Sequence, residues 1–156
     1  MDAVTYPDAN VQRFLTEHFV FAHFNTADAT PAVKEIQRSF RQVWTPTLLV
    51  FDHHQIEARR SIGYFPPEEF VADLRVGLGM VDLLHGKYGQ AFAHFRHVVE
   101  HFPKAGVSPE ALYWAGVAAY QRDGKADSLL EQWRELGSRC PQSPWWTRAS
   151  FIADKK

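Results

Sequence analysis

Residues able to do chemistry are few in this chain and widely spaced. The one cysteine, Cys140, sits in Ser138-Arg139-Cys140-Pro141, past a helical pattern and away from any candidate base. A reactive thiol needs a lowered pKa and a partner, and a single cysteine leaves no intrachain disulfide, dithiol redox centre or thiolate metal site. Three histidines, His94, His97 and His101, recur at intervals of three and four on a helical pattern, with His85 just before it. That spacing can bring imidazoles to one metal ion. The core face of the same helix is set by Ala91, Phe95, Val98 and Phe102, so the histidines flank it. Beyond Glu100 no carboxylate or cysteine completes a shell, and a solvated helix edge is the default reading. His53-His54 reads first as the surface of a turn. No Gly-rich phosphate loop, Ser-His-Asp arrangement or pair of carboxylates at catalytic spacing stands out. No catalytic residue, metal or cofactor is therefore assigned, and attention moves to binding. The aromatic residues Tyr113, Trp114, Tyr120, Trp133, Trp145 and Trp146 are first of all helix-packing core, and some of them could line a groove. The other stretch is Trp44-Thr45-Pro46-Thr47.

The elements that must position that stretch follow from periodicity. Proline has no N–H for a sheet ladder, so Pro46 opens a strand or lies on an edge. The continuous apolar run Leu48 to Phe51 suits a strand covered on both faces. Upstream, Asp8 can cap a helix with Val11, Phe14, Leu15 and His18 at helical spacing. Phe19-Val20-Phe21-Ala22-His23-Phe24 reads as a buried strand by its β-branched and aromatic content. Thr30-Pro31 forms an N-cap and first-turn pair, opening a helix with Val33, Ile36, Phe40 and Val43 on one face. After the polar turn Asp52-His53-His54-Gln55, Ile56 to Ile62 returns as a strand that alternates less cleanly. So short a loop joins antiparallel strands. Gly63 ends that strand, and Pro66-Pro67-Glu68-Glu69 opens a helix running to about His85, about 28 Å long at 1.5 Å per residue.

Composition bounds the rest. The 156 residues are 46% apolar and 14% aromatic, enough for a packed core. With 17 basic against 18 acidic residues and no run of like charge, nucleic acid and an anionic membrane are not expected as partners. No apolar stretch approaches the roughly 20 residues a bilayer span needs. Residues Met1 to Thr5 lack the basic and apolar regions of a signal peptide. The expected location is the cytoplasm.

The second half holds helical patterns alone, and it repeats. Gly79 recurs as Gly116 after 37 residues, while Gly86, Phe95, Val98 and Pro103 recur as Gly124, Trp133, Leu136 and Pro141 after 38. Self-similarity at this period marks repeat architectures. The small residue lets two helices approach, the glycine permits a tight connection, the aromatic fills the groove and the proline stops the second helix. Ser143-Pro144-Trp145-Trp146, with Ala149 and Phe151, is expected to form a last helix covering the end of the stack. Gly86-Lys87-Tyr88, Ala91, Phe95, Val98 and Pro103 are similar to the second half of a tetratricopeptide repeat, with Gly79 at its small first-helix position. A looser copy contains Leu112, Gly116, Tyr120, Gly124, Trp133, Leu136 and Pro141, with Leu129 where the family has alanine.

The first half resembles a thioredoxin-like fold. The carrying residues are the helix and strand ending at Phe19-Val20, then Val43 to Asp52, the returning strand, Gly63-Tyr64 and Pro67-Glu68-Glu69-Phe70. The resemblance implies a cis Pro46, with Thr45 offering backbone hydrogen bonds to an extended peptide beside Trp44. Only about 5–6% of X-Pro bonds are cis in folded proteins, so spacing alone leaves a trans proline opening an edge strand as the other reading. The chain departs from the family by lacking the Cys-x-x-Cys and the central strand that normally separates Phe19–Phe24 from Thr47–Phe51. Either those two strands close up, or another chain fills the gap, or the gene product starts upstream of Met1.

The expected architecture is thus an α/β thioredoxin-like domain over 1–78, an incomplete three-strand remnant with flanking helices. It is followed by a tetratricopeptide-like all-α region over 72–156 that shares the helix near 67–85. The expected function is a redox-inactive module that binds an extended polypeptide or protein partner through Trp44, Thr45, Pro46 and the helical groove, with self-association through unpaired strand edges. The alternative is a thiol–disulfide oxidoreductase whose Cys-x-x-Cys lies upstream of a misassigned start.

Overall fold

A computed structural model describes residues 1–28 and 30–152. Helix α1, Ala9–His18, begins where Asp8 accepts the amides of Asn10 and Val11. It turns Val11, Phe14 and Leu15 into the core and leaves His18 exposed. The chain then runs without helix or strand through residues 19–25 to a short 3₁₀ turn, Thr26–Asp28. Helix α2, Pro31–Ser39, starts at the Thr30 cap and buries no residue fully. Strands β1, Thr47–Phe51, and β2, Glu57–Ile62, form a two-stranded antiparallel hairpin. Four helices follow: α3, Pro67–Leu84; α4, Tyr88–His101; α5, Ser108–Asp123; and α6, Ala126–Arg139. The short α7, Pro144–Ala149, and a 3₁₀ turn, Ser150–Ile152, close the described chain.

One expected strand is not there. Phe19 is half-buried and Val20 to Phe24 are exposed, with Val20 fully in solvent at 104%. The reason is the absence of a neighbour: strand preference reflects packing against cross-strand and same-face side chains, and no described strand lies alongside this segment. The sheet is therefore a two-strand hairpin, not a three-strand remnant.

Two apolar clusters meet along α3. The first joins Val11, Phe14 and Leu15 to Leu48 and Val50 of β1 and to Phe70 and Leu74 of α3. The second takes Ala72 and Val76 from another side of α3 and adds Phe95, Val98, Leu112, Trp133 and Leu136. Consecutive helices α3 to α6 pack as neighbours along the chain. At the α3–α4 and α5–α6 joints a glycine receives an aromatic ring. A Cβ on Gly79 would lie 2.5 Å from Phe95 Cε1, and one on Gly116 would lie 2.7 Å from the Trp133 ring. The same arrangement recurs unannounced at Gly137, against Trp146.

The hairpin is fastened to the helices by ions. Arg59 of β2 donates to Asp73 Oδ1 of α3 at 2.8 and 3.1 Å and to Glu110 of α5 at 2.9 and 3.1 Å. Ser61 Oγ completes the cluster with a 3.0 Å bond to Asp73 Oδ1. Burial works against the Arg59 charge, yet the bonds to Glu110 and Asp73 outweigh it and hold its pKa above the ordinary arginine value.

Candidate functional site

The loop entering β1 is held from beneath by side chains. Trp44 C=O accepts Thr47 Oγ1 at 2.6 Å and Gln42 Nε2 at 3.2 Å, and Gln42 also donates to Thr45 Oγ1 at 3.2 Å. Thr26 Oγ1 lies 3.4 Å from Thr45 Oγ1, tying the N-terminal segment to the same point. These contacts leave the outer surface open: Val43 is 76% and Trp44 67% exposed. Together with Gln37, Gln42 and Thr45 they line an open depression of about 380 Å³. The Thr45–Pro46 peptide bond is cis.

Backbone parity decides which groups face outward. Gly63 N–H donates to the Pro46 carbonyl at 2.9 Å, and Asp52 N–H donates to the Ile56 carbonyl at 3.0 Å. In an antiparallel pair the main-chain groups of alternate residues turn to the partner. Those of Leu48 and Val50 therefore face β2, while those of Thr47, Leu49 and Phe51 face the other edge. No described strand occupies that edge. Thr45 N–H and C=O likewise make no hydrogen bond among the described residues. Such an edge is a template for an added strand.

The other sequence candidates fall elsewhere. His97 and His101 stack at 4.0 Å between ring centroids, and His101 Nδ1 meets the His97 carbonyl at 3.1 Å. His94 Nε2 lies 3.5 Å from Asp82 Oδ2. Burial, then the charges of Arg75, His101 and His94, push the His97 pKa down to about 4. His85 meets the buried Asp52 carboxylate at 2.9 Å, with His53 and His54 beside it. Among the described residues no group of three or more histidines, cysteines or carboxylates is disposed to hold a metal ion. Cys140 is half-buried at the end of α6, packed on the helical cluster. Of the six aromatics, Trp133 is buried while Tyr113 stacks on it at 4.9 Å, and Trp145 packs beside Tyr113. Sequence reasoning missed Gln37 and Gln42, which no spacing distinguishes from ordinary surface glutamines.

A helix, a cis X-Pro bond opening an apolar strand, an antiparallel return and a following helix form one continuous arrangement. The family model that describes a thioredoxin-like domain matches residues 1–76. Residues 1–76 are a thioredoxin-like domain. Its sheet is an open pair of strands, and the chain's one cysteine lies outside it, so the domain holds no Cys-x-x-Cys. A densely packed helical region follows it. No curated protein and no solved structure matches the chain. No helix among the described residues is long and apolar enough to cross a membrane.

Proposed function

We propose that the thioredoxin-like domain binds extended polypeptide by adding it as a strand to the free edge of β1, beside Trp44, Thr45 and Pro46. The observation that carries this reading is the conjunction of outward-facing main-chain groups at Thr47 and Leu49 with unpaired Thr45 and a projecting indole. Main-chain bonds would give affinity and the Trp44 surface an aromatic anchor. The helical region is tetratricopeptide-like in this proposal, supported by the repeated glycine–aromatic joints. The near-cancelling charges favour a polypeptide over nucleic acid. With one cysteine, this chain contributes no dithiol to its ligand. A second reading, thiol–disulfide exchange, is supported by the family match over residues 1–76 and needs a Cys-x-x-Cys from outside residues 1–156. An in-frame Trp-Cys-x-x-Cys-Lys codon run before Met1 would favour it, and an in-frame stop codon there would remove it.

The test is amide-resolved NMR titration with a library of eight-residue extended peptides. Thr45, Thr47 and Leu49 amides are expected to shift together. Trp44→Ala is expected to weaken binding about thirtyfold while leaving stability unchanged, since hot-spot aromatics carry about 2 kcal/mol or more and this ring is largely in solvent. Peptides that shift helical amides alone would defeat the strand-addition reading.

A further inference from the structure

Four arginines lie part-way into the protein, and three of them are paired, Arg60 with Glu57. Arg59 meets two carboxylates, Asp73 and Glu110, and Arg96 meets Glu100 and Glu135. Arg75, on α3, pairs with no carboxylate among the described residues, and its Nε is buried with no hydrogen-bond partner. Its guanidinium lies 4.9 Å from the centre of the Phe14 ring. Burial alone draws its pKa below the ordinary arginine value, because no anion opposes the loss of water.

That unpaired cation lines a cleft of about 400 Å³ between α1, the first turns of α3 and Phe102 at the end of α4. This volume lies in the usual small-ligand range of about 300–1,000 Å³. Phe14, Val71 and Phe102 give the cleft apolar walls, while Glu17 and Glu68 stand on its rim. Asp8 also borders it, but one of its oxygens already receives two amides as the α1 cap. Arg13, the other cation there, is exposed and donates to Asn10 Oδ1.

We infer that this cleft binds a monoanionic carboxylate with an apolar body, its oxygens taken by Arg75 and its body by Phe14, Val71 and Phe102. A planar guanidinium matches a carboxylate with two parallel bonds, and such charge-assisted bonds are the strong ones. The acidic rim discriminates against a dianion such as phosphate, which would meet Glu17 and Glu68 with twice the charge. The site is separate from the β1 edge and stands or falls independently of strand addition there.

The experiment is NMR titration of the full chain with 3-phenylpropionate, 3-phenylpropionamide, octanoate, N-acetylphenylalanine and inorganic phosphate. The aryl and alkyl acids should saturate amides near Phe14 and Val71, and the amide should bind about tenfold more weakly or worse. N-acetylphenylalanine binding more tightly than octanoate points to a peptide C-terminus as the natural source, and the reverse order to a free fatty or aryl acid. Arg75→Gln should reduce acid binding about tenfold and leave amide binding unchanged, with Arg75→Lys intermediate because it keeps the charge and loses the fork. Should Arg75→Gln fail to fold, the acid-to-amide ratio on the unaltered chain still decides. Equal binding of acid and amide, unchanged affinity in a folded Arg75→Gln, phosphate as the tightest probe, or no saturable shift near Phe14 would each overturn the inference.

Discussion

Replacing Gly79 by alanine tests the helical packing through a sign. In an ordinary helix the change stabilises, because glycine lies about 1 kcal/mol below alanine in propensity. Here the new methyl would sit 2.5, 2.8 and 2.9 Å from three carbons of the Phe95 ring, against about 3.5–4.0 Å for comfortable carbon contact. The ring must retreat by about 1 Å, and Phe95 is fully buried with close-packed neighbours around it. Overpacking of this kind costs about 1–3 kcal/mol, which offsets or outweighs the propensity gain and leaves Gly79→Ala up to about 2 kcal/mol less stable. Gly89, inside α4, has nothing within 4 Å of its ideal Cβ, so Gly89→Ala should gain about 0.5–1 kcal/mol. Urea unfolding should therefore show the midpoint raised in Gly89→Ala and unchanged or lowered in Gly79→Ala. Adding Phe95→Leu to Gly79→Ala should relieve the clash, making the double variant about 1 kcal/mol more stable than the sum of the singles. A Gly79→Ala protein that gains stability like Gly89→Ala would refute the close-approach argument.

Two further outcomes follow from the ion pairs and the histidines. Arg59→Leu leaves Asp73 and Glu110 facing each other without their shared cation, and breaking a buried pair in this way should cost about 3–5 kcal/mol by urea or thermal melting. An unchanged midpoint would show the cluster to be dispensable. Acid should destabilise the fold in two stages. His97 is lowered from 6.5 to about 4 in the folded protein, so the unfolded chain takes up its proton first. The stability it contributes is complete above pH 6.5 and is lost as pH falls towards 4. Burial acts to raise the Asp52 pKa, but the Ile56 amide, His85 and the His54 amide together hold it low. Its contribution is therefore present above the unfolded carboxylate range and lost below it. In urea melts at stepped pH, His97→Gln should flatten the first stage and leave the second; identical curves would remove His97 from the account.

Much of this architecture was legible because local signals and packing agreed. Asp8 and Thr30-Pro31 fixed two helix starts, the polar turn at Asp52 fixed an antiparallel hairpin, and Gly79 and Gly116 announced the ring-filled joints. Phe19–Phe24 misleads because its residues favour a strand while the neighbour a strand requires is missing. The poor alternation of Ile56–Ile62 carried information that periodicity could not interpret. Arg59 and Ser61, on the inward side, are polar because Asp73 waits for them, and nothing in the local sequence names a partner on α3 or α5. Trp44, Thr45 and Pro46 stand out by their unusual order, whereas Gln42 beneath them looks like any surface glutamine. Arg75 gave no signal either, since its lack of a partner is visible only in three dimensions.

The Arg59 cluster also has a consequence for the order of synthesis. A ribosome making this chain completes the hairpin and Asp73 well before it reaches Glu110, which lies 34 residues beyond the last residue of the thioredoxin-like match. At about 5–20 residues per second, the hairpin spends seconds with its arginine half-neutralised and the second face of α3 uncovered. Over that interval the open edge of β1 is joined by an exposed Ala72–Val76 surface, and a chaperone or a neighbouring nascent chain meets both at once. Cutting the chain after residue 76 would make that interval permanent.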